Sequence, residues 1–417
     1  MRYIAGCILL PAVFVAGCTL GPVAETHPPD STALVAPPLG SPSPENGVAV
    51  SVTPVQSSSV GSRCIAIAPD LPANVTYQGS LVLEDASGTD LSPRLVRITN
   101  GETSDLPSES PPLIDVTSSP SRDRLAFIAL GEEGAYSVAL LNPDGTTSIV
   151  APLLDDWVAL ASWINNTTLL VRKSAAANGS LPPSVVLLDT PTGAYREIEL
   201  DFPGFYAPAA DENLWHTSAF IDPSVSRVAY VALGEGDFEI RLWDLQEAKV
   251  IGELSPWNSA FGSPAWSSEG DRLFIPSYVS SELGDPREDF YSLSFEGESS
   301  RVTHLSEGAS AADIGTFEIS PHGDQLAFWL RGAAAEHETL HVLIPGAPEE
   351  ITDLCILGNQ DDSMSRPPIW SPSGREVLVT TTLPGGGLTS VVLIDLERDI
   401  AAVVAQNMEA VSWIGEP

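Results

Sequence analysis

Polar turns followed by short alternations of apolar and polar residues recur along the chain. The copies are SPSRDRLAFIAL from Ser119, WINNTTLLVRK from Trp163, DPSVSRVAYVAL from Asp222, SSEGDRLFIPSY from Ser267, SPHGDQLAFWLR from Ser320 and SPSGREVLVTTT from Ser371. An apolar residue at every second position marks a half-buried strand, because successive strand side chains point to opposite faces. Each copy is followed by a second apolar run, a turn and a third run, as in SVALLNPDGTTSIVAPL from Ser137 and SVVLLDTPTGAYREIEL from Ser184. A shorter run ending in Trp or Ile precedes the turn in ALASW from Ala159, SPAW from Ser263, FEI from Phe317 and PPIW from Pro367. One unit is therefore four strands with tight connections. The second strands begin at Leu125, Leu169, Val228, Leu273, Leu326 and Val377, which spaces the units 44 to 59 residues apart.

Repeated four-stranded units of this size predict a β-propeller. The two ends supply a further blade. EAVSW, Glu409 to Trp413, has the pattern of an inner strand with no second strand behind it, and GSLVLEDASGTDLSPRLVRITNGETSDL from Gly79 reads as outer strands with no inner one. Joined, they predict an all-β, seven-bladed β-propeller of four-stranded antiparallel blades, the last blade closed by N- and C-terminal strands. Such closure leaves no sheet edge open between first and last blades. The turn-plus-strand repeat resembles the WD40-like (PD40) repeat in the propellers of the TolB family and of prolyl oligopeptidase relatives, from about residue 78 onward. The resemblance implies the fold only. Where TolB carries an N-terminal α/β domain this chain has a Pro-rich segment, and it has no hydrolase domain like that of the peptidases, so neither role is carried over.

MRYIAGCILLPAVFVAGCTL combines a positive charge at Arg2, an apolar run from Ile4 to Val15 and small residues before Cys18, which predicts an export signal. The run is shorter than the roughly 20 residues a spanning helix needs. VAGC resembles the lipobox of bacterial lipoproteins, which implies cleavage before Cys18 and lipidation of Cys18. The expected organisation is a signal peptide at 1–17, a lipidated Pro-, Ser- and Ala-rich tether at 18–62 with no sustained period, and the propeller at 63–417. A lipid on Cys18 would hold the protein on the extracytoplasmic face of a cell membrane. With Cys7 in the signal and Cys18 lipidated, Cys64 and Cys355 are left as an even pair in an exported chain and are expected to form a disulfide. Cys355 reads as the start of the sixth blade.

Charge narrows the partners. The chain has 55 Asp plus Glu against 19 Lys plus Arg, a net charge of −36, which repels nucleic acid phosphates. One stretch satisfies H-E-x-x-H, through His337, Glu338 and His341. Zinc binding by that motif needs a helix, whereas the repeat register places it on a third strand, where the two histidines stand about 13 Å apart. No metal is expected there. No Walker loop, G-x-S-x-G elbow, dinucleotide fingerprint or C-x-x-C pair is present, so no cofactor is expected. The loops entering the inner strands cluster at one mouth of the channel. They offer Asp155, Asp156, Trp157, Tyr206, Asp211, Trp215, His216, Trp257, Asp313, Asp361, Arg366 and Glu409 as candidate binding residues. Carboxylates beside aromatics suit a glycan, a basic peptide or a partner's loop. Trp163, Trp266, Trp370 and Trp413 are expected to pack between blades. The expected function is a non-catalytic binding or protein–protein interaction scaffold in the cell envelope, its partner an envelope protein or glycan. The alternative is an envelope hydrolase or lyase acting on carbohydrate or peptide at the channel mouth.

Overall fold

Among the described residues of the computed structural model, thirty strands form seven sheets, each built on four antiparallel strands. The structure describes residues 60–86, 93–106, 112–130, 135–154, 157–173, 184–205, 219–234, 238–255, 257, 263–279, 287–305, 312–332, 337–344, 351–358, 365–383 and 388–415. The export signal, Cys18 and the tether as far as residue 59 lie outside them. Blade one comprises Ile114–Ser118, Leu125–Leu130, Tyr136–Leu141 and Thr147–Pro152, paired in that order. Blades two to six repeat the pattern, with inner strands Trp157–Asn165, Ala219–Ile221, Ala265–Trp266, Ala312–Ile319 and Ile369–Trp370. Blade seven is composite. Its inner strand Met408–Ile414 pairs with Ser80–Asp85, in a register that sets Trp413 against Leu81 and Met408 against Asp85. Arg94–Thr99 and Glu102–Leu106 complete it.

The recurrent turn explains why the repeat is visible at all. In blade five the Ser320 amide donates to the Gln325 carbonyl at 2.9 Å, the Gly323 amide donates to the Ser320 carbonyl at 2.8 Å, and the Ser320 hydroxyl donates to the Asp324 carboxylate at 2.7 Å. The fourth residue is left-handed, which glycine adopts without strain. Gly270, Gly323 and Gly374 fill that place in blades four, five and six, while Arg122 (φ 57°) and Val225 (φ 57°) fill it in blades one and three.

The second strands then bury their alternating residues against neighbouring blades. One cluster joins Trp329, Leu340 and Leu354 of blade five to Trp370, Val377 and Val392 of blade six. The inner-strand tryptophans tie blades together as expected. Trp163 Nε1 donates to the Thr117 carbonyl at 2.9 Å, Trp266 Nε1 to Phe220 at 2.9 Å and Trp370 Nε1 to Glu318 at 3.0 Å, each reaching the inner strand of the preceding blade. Trp413 Nε1 instead donates to Gln78, at the joint where blade seven closes, at 2.8 Å.

The N-terminal segment does more than lead into blade seven. Val60–Ser62 pairs in parallel with Ile351–Asp353 on the outer edge of blade five, and Ile67–Ala68 pairs in parallel with Ala401–Ala402 on the outer edge of blade six. Both blades thereby become five-stranded. Val60–Ser62 falls in the stretch the composition assigns to the tether. Between the two short strands Cys64 is bonded to Cys355, with Cα atoms 4.8 Å apart. Cys355 belongs to the outer strand of blade five, Ile351–Leu357, and not to the start of blade six. The third apolar run of blade five thus extends through Cys355 to Leu357, and the N-terminal belt pairs with its outer edge.

Candidate functional sites at the two mouths of the channel

Each inner strand enters the ring at one mouth and turns into its second strand at the other. At the entry mouth, Asp155, Asp156, Tyr206, Asp211, Trp215, His216 and Asp361 lie outside the described residues. Trp157 is buried, its ring edge-on to Tyr195 with centroids 5.4 Å apart, so it serves the packing between blades one and two. Trp257 is half-buried, with Nε1 donating to the Pro276 carbonyl at 3.1 Å and its amide to Phe238 at 2.7 Å. The Trp157 ring is thus covered, and the Trp257 N–H is taken by the protein.

Arg366 and Glu409 do come together, as an ion pair between the approach to blade six and the start of the inner strand of blade seven. The Arg366 carbonyl accepts from Trp329 Nε1 at 2.8 Å, which fixes the backbone beneath the charge. Glu84 joins this pair: burial raises its pKa, Arg366 opposes that rise and Glu409 adds to it. Two carboxylates thus flank one guanidinium. Nothing in the local sequence marks Glu84, because it belongs to a second strand and meets the mouth only through the pairing of the two chain ends. Asp313 stands nearer Arg331, and burial raises its pKa against the pull of that arginine. Asp115 is another acidic group of this mouth, held in the left-handed region (φ 54°), with its carboxylate accepting the Leu160 amide at 2.5 Å. Burial raises its pKa too, opposed by that hydrogen bond and by Arg172.

H-E-x-x-H lies at and just before the strand Glu338–Leu343. Glu338 is buried between blades five and six, 3.5 Å from Arg331 and accepting the Ser365 amide at 3.3 Å. His341 Nδ1 lies 3.0 Å from the Thr339 carbonyl. The acidic residue and the second histidine of the motif are thus both engaged in the blade wall.

At the opposite mouth, where the recurrent turns converge, there is a cavity of about 600 Å³. Inner strands and turns of blades one to five and the turn of blade six line it with Ser118, Ser162, Asn166, Trp163, Trp266 and His322 among others. Two charged side chains face each other there. Arg122, from the turn of blade one, pairs with Glu318 on the inner strand of blade five. Blade one and blade five are three steps apart around the ring, so the pair crosses the channel. The guanidinium is 6% exposed and the carboxylate 29%. Burial lowers the Arg122 pKa to about 10, which still leaves it charged at neutral pH. Arg122 is absent from the candidates named from sequence, although the signal was present: SPSRDR carries arginine where SSEGDR, SPHGDQ and SPSGRE carry glycine.

No family model matches the chain, and no curated protein matches it. Solved propellers do match its fold. TolB from Acinetobacter baumannii is 13% identical over 82% of this chain and 68% of that one, with a TM-score of 0.41. The β-propeller domain of the Trilobed protease from Pyrococcus furiosus is 11% identical over 68% and 82%, with a TM-score of 0.44. Oligogalacturonate lyase from Vibrio parahaemolyticus is 11% identical over 79% and 87%, with a TM-score of 0.49. At such identities the likeness concerns the fold alone.

Proposed function

We propose that this chain is a lipid-anchored, extracytoplasmic binding protein whose propeller is a non-catalytic scaffold in the cell envelope. The carrying observation is the cavity of about 600 Å³ where the repeat is broken by Arg122, with its charges already neutralised across the channel. A pocket of that size, polar and aromatic in its lining, accommodates part of a partner. A guanidinium locked to a carboxylate has no proton to exchange near neutral pH. The lipobox-like VAGC and the Cys64–Cys355 bond support placement outside the cytoplasm, where disulfides persist. One observation favours the catalytic alternative: burial raises the pKa of Glu84 beside the Arg366–Glu409 ion pair, which suits a proton donor.

The test has two arms. Cys18→Ala protein is expected in the soluble fraction, while the wild type stays with membranes. A soluble form beginning at Val55, used as bait in envelope extract, is expected to retain a stoichiometric partner without consuming it. Membrane association of Cys18→Ala would defeat the lipid anchor. Turnover of a glycan or peptide by the bait, lost in Glu84→Gln, would replace the binding reading with the catalytic one.

A further inference from the structure

We propose that the cavity at the turn-side mouth is a receptor for the glutamate side chain of a partner's loop, and that Glu318 is its built-in occupant. This rests on the reading of the propeller as a binding protein and names what one of its mouths recognises.

Arg122 does not sit in the channel by accident of a long side chain. Its backbone is left-handed (φ 57°) at a turn position that three sister blades give to glycine. Its amide donates to the Ser119 carbonyl at 2.9 Å, and its own carbonyl accepts the Gly415 amide at 2.8 Å. The left-handed backbone is therefore fixed from both sides, and the nearly buried guanidinium lies in the cavity lining. Such residues persist where the surroundings over-determine them, and they cluster at binding sites.

The two partners of the ion pair differ in freedom. Arg122 is 6% exposed and Glu318 29%, so only the carboxylate has water within reach. Leaving a buried guanidinium unpaired is strongly unfavourable. Exchanging one carboxylate for another is not, because Glu318 can rotate into solvent while an incoming carboxylate takes its place. Planar guanidinium and carboxylate groups match in a forked geometry that suits this exchange. A glutamate is the indicated occupant because a glutamate side chain already fills the position. The cavity is walled by Ser118, whose hydroxyl pairs with that of Ser412, by Asn166, whose Oδ1 accepts the Ser121 amide, and by Ser162, Trp163 and Trp266. The net charge of −36 does not forbid an acidic visitor, since exposed charges farther off than about 8–10 Å are largely screened at physiological salt.

The exchange is tested on the purified full chain with a blocked tripeptide, acetyl-Gly-Glu-Gly-amide, and its Gln counterpart. Binding is followed through the indole N–H resonances of Trp163 and Trp266. Glu318→Gln vacates the charge opposite Arg122, and it is expected to bind the Glu peptide about tenfold more tightly than the Gln peptide and about tenfold more tightly than wild type does. Arg122→Gly carries the residue found in the sister turns, so it is expected to fold with a wild-type circular dichroism melt and to respond equally weakly to both peptides. Glu318→Gln responding equally to the two peptides, or to neither, overturns the proposal. A partner held equally by wild type and Arg122→Gly would leave the binding role standing and remove it from this cavity.

Discussion

His341 shows how a residue's neighbours decide its chemistry. It is buried, its ring tilted against Phe328 with centroids 5.6 Å apart. Burial pushes its pKa below the ordinary histidine value, with Asp353 at 3.9 Å pulling the other way. The unfolded chain therefore takes up the proton first as pH falls, and stability is lost from about pH 6.5 downward. Denaturant midpoints are expected to decline between about pH 7 and pH 5, and His341→Gln is expected to flatten the decline. An unchanged slope in that variant would show that His341 titrates as freely folded as unfolded. At this scale the sequence was legible where a residue shares in the repeat and opaque where it departs from it. The spacing of His337 and His341 alone suggests metal, but the alternation around them places the motif on a strand. Arg122 departs from its sister turns at a single position, and its meaning depends on a direction, into the channel, that no local pattern encodes.

Strands show the same division. Those of the blades were readable because a run of six or seven residues follows each polar turn and is buried on both faces between neighbouring blades, as in Arg227–Leu233 and Glu376–Thr382. The belt strands Val60–Ser62 and Ile67–Ala68 are three and two residues long, too short for any period to show. They form because two blade edges offer unpaired backbone groups. Packing between blades also relies on close backbone approach. Gly252 in the outer strand of blade three meets the turn of blade four at Gly297, where a Cβ would stand 2.1 Å from the Ile251 carbonyl oxygen. Gly297 is also left-handed, with φ 93°. Gly297→Ala is accordingly expected to cost about 1–3 kcal/mol, read as a lower urea midpoint with an unchanged slope. A midpoint equal to that of the wild type would mean that the strand and the turn part without loss.

For the molecule as a whole, the ring is held twice. Blade seven is closed by hydrogen bonds between strands from the two ends, and the belt is fastened to blade five by the Cys64–Cys355 bond across a separation of 291 residues. Reduction, or the double change Cys64→Ala with Cys355→Ala, is expected to lower stability by about 2–5 kcal/mol, measured by thermal melts with and without reductant. Identical melts would assign closure to the strands alone. Sevenfold architecture and the composite blade were both legible, since they follow from counting units. The belt's course was not, because it depends on which edges the finished ring leaves bare.

Closure also imposes an order in time. The Trp413 indole and the Gln78 carbonyl it seeks are 335 residues apart, and Leu81 waits for the same distant strand. The four antiparallel strands of each of blades one to six lie within about fifty residues of one another and can pair as their segments become available. Ser80–Asp85, though made early, keeps an adhesive unpaired edge through all of that assembly. An unpaired edge is a template for another copy of the chain, and the strand that ends this exposure is Met408–Ile414.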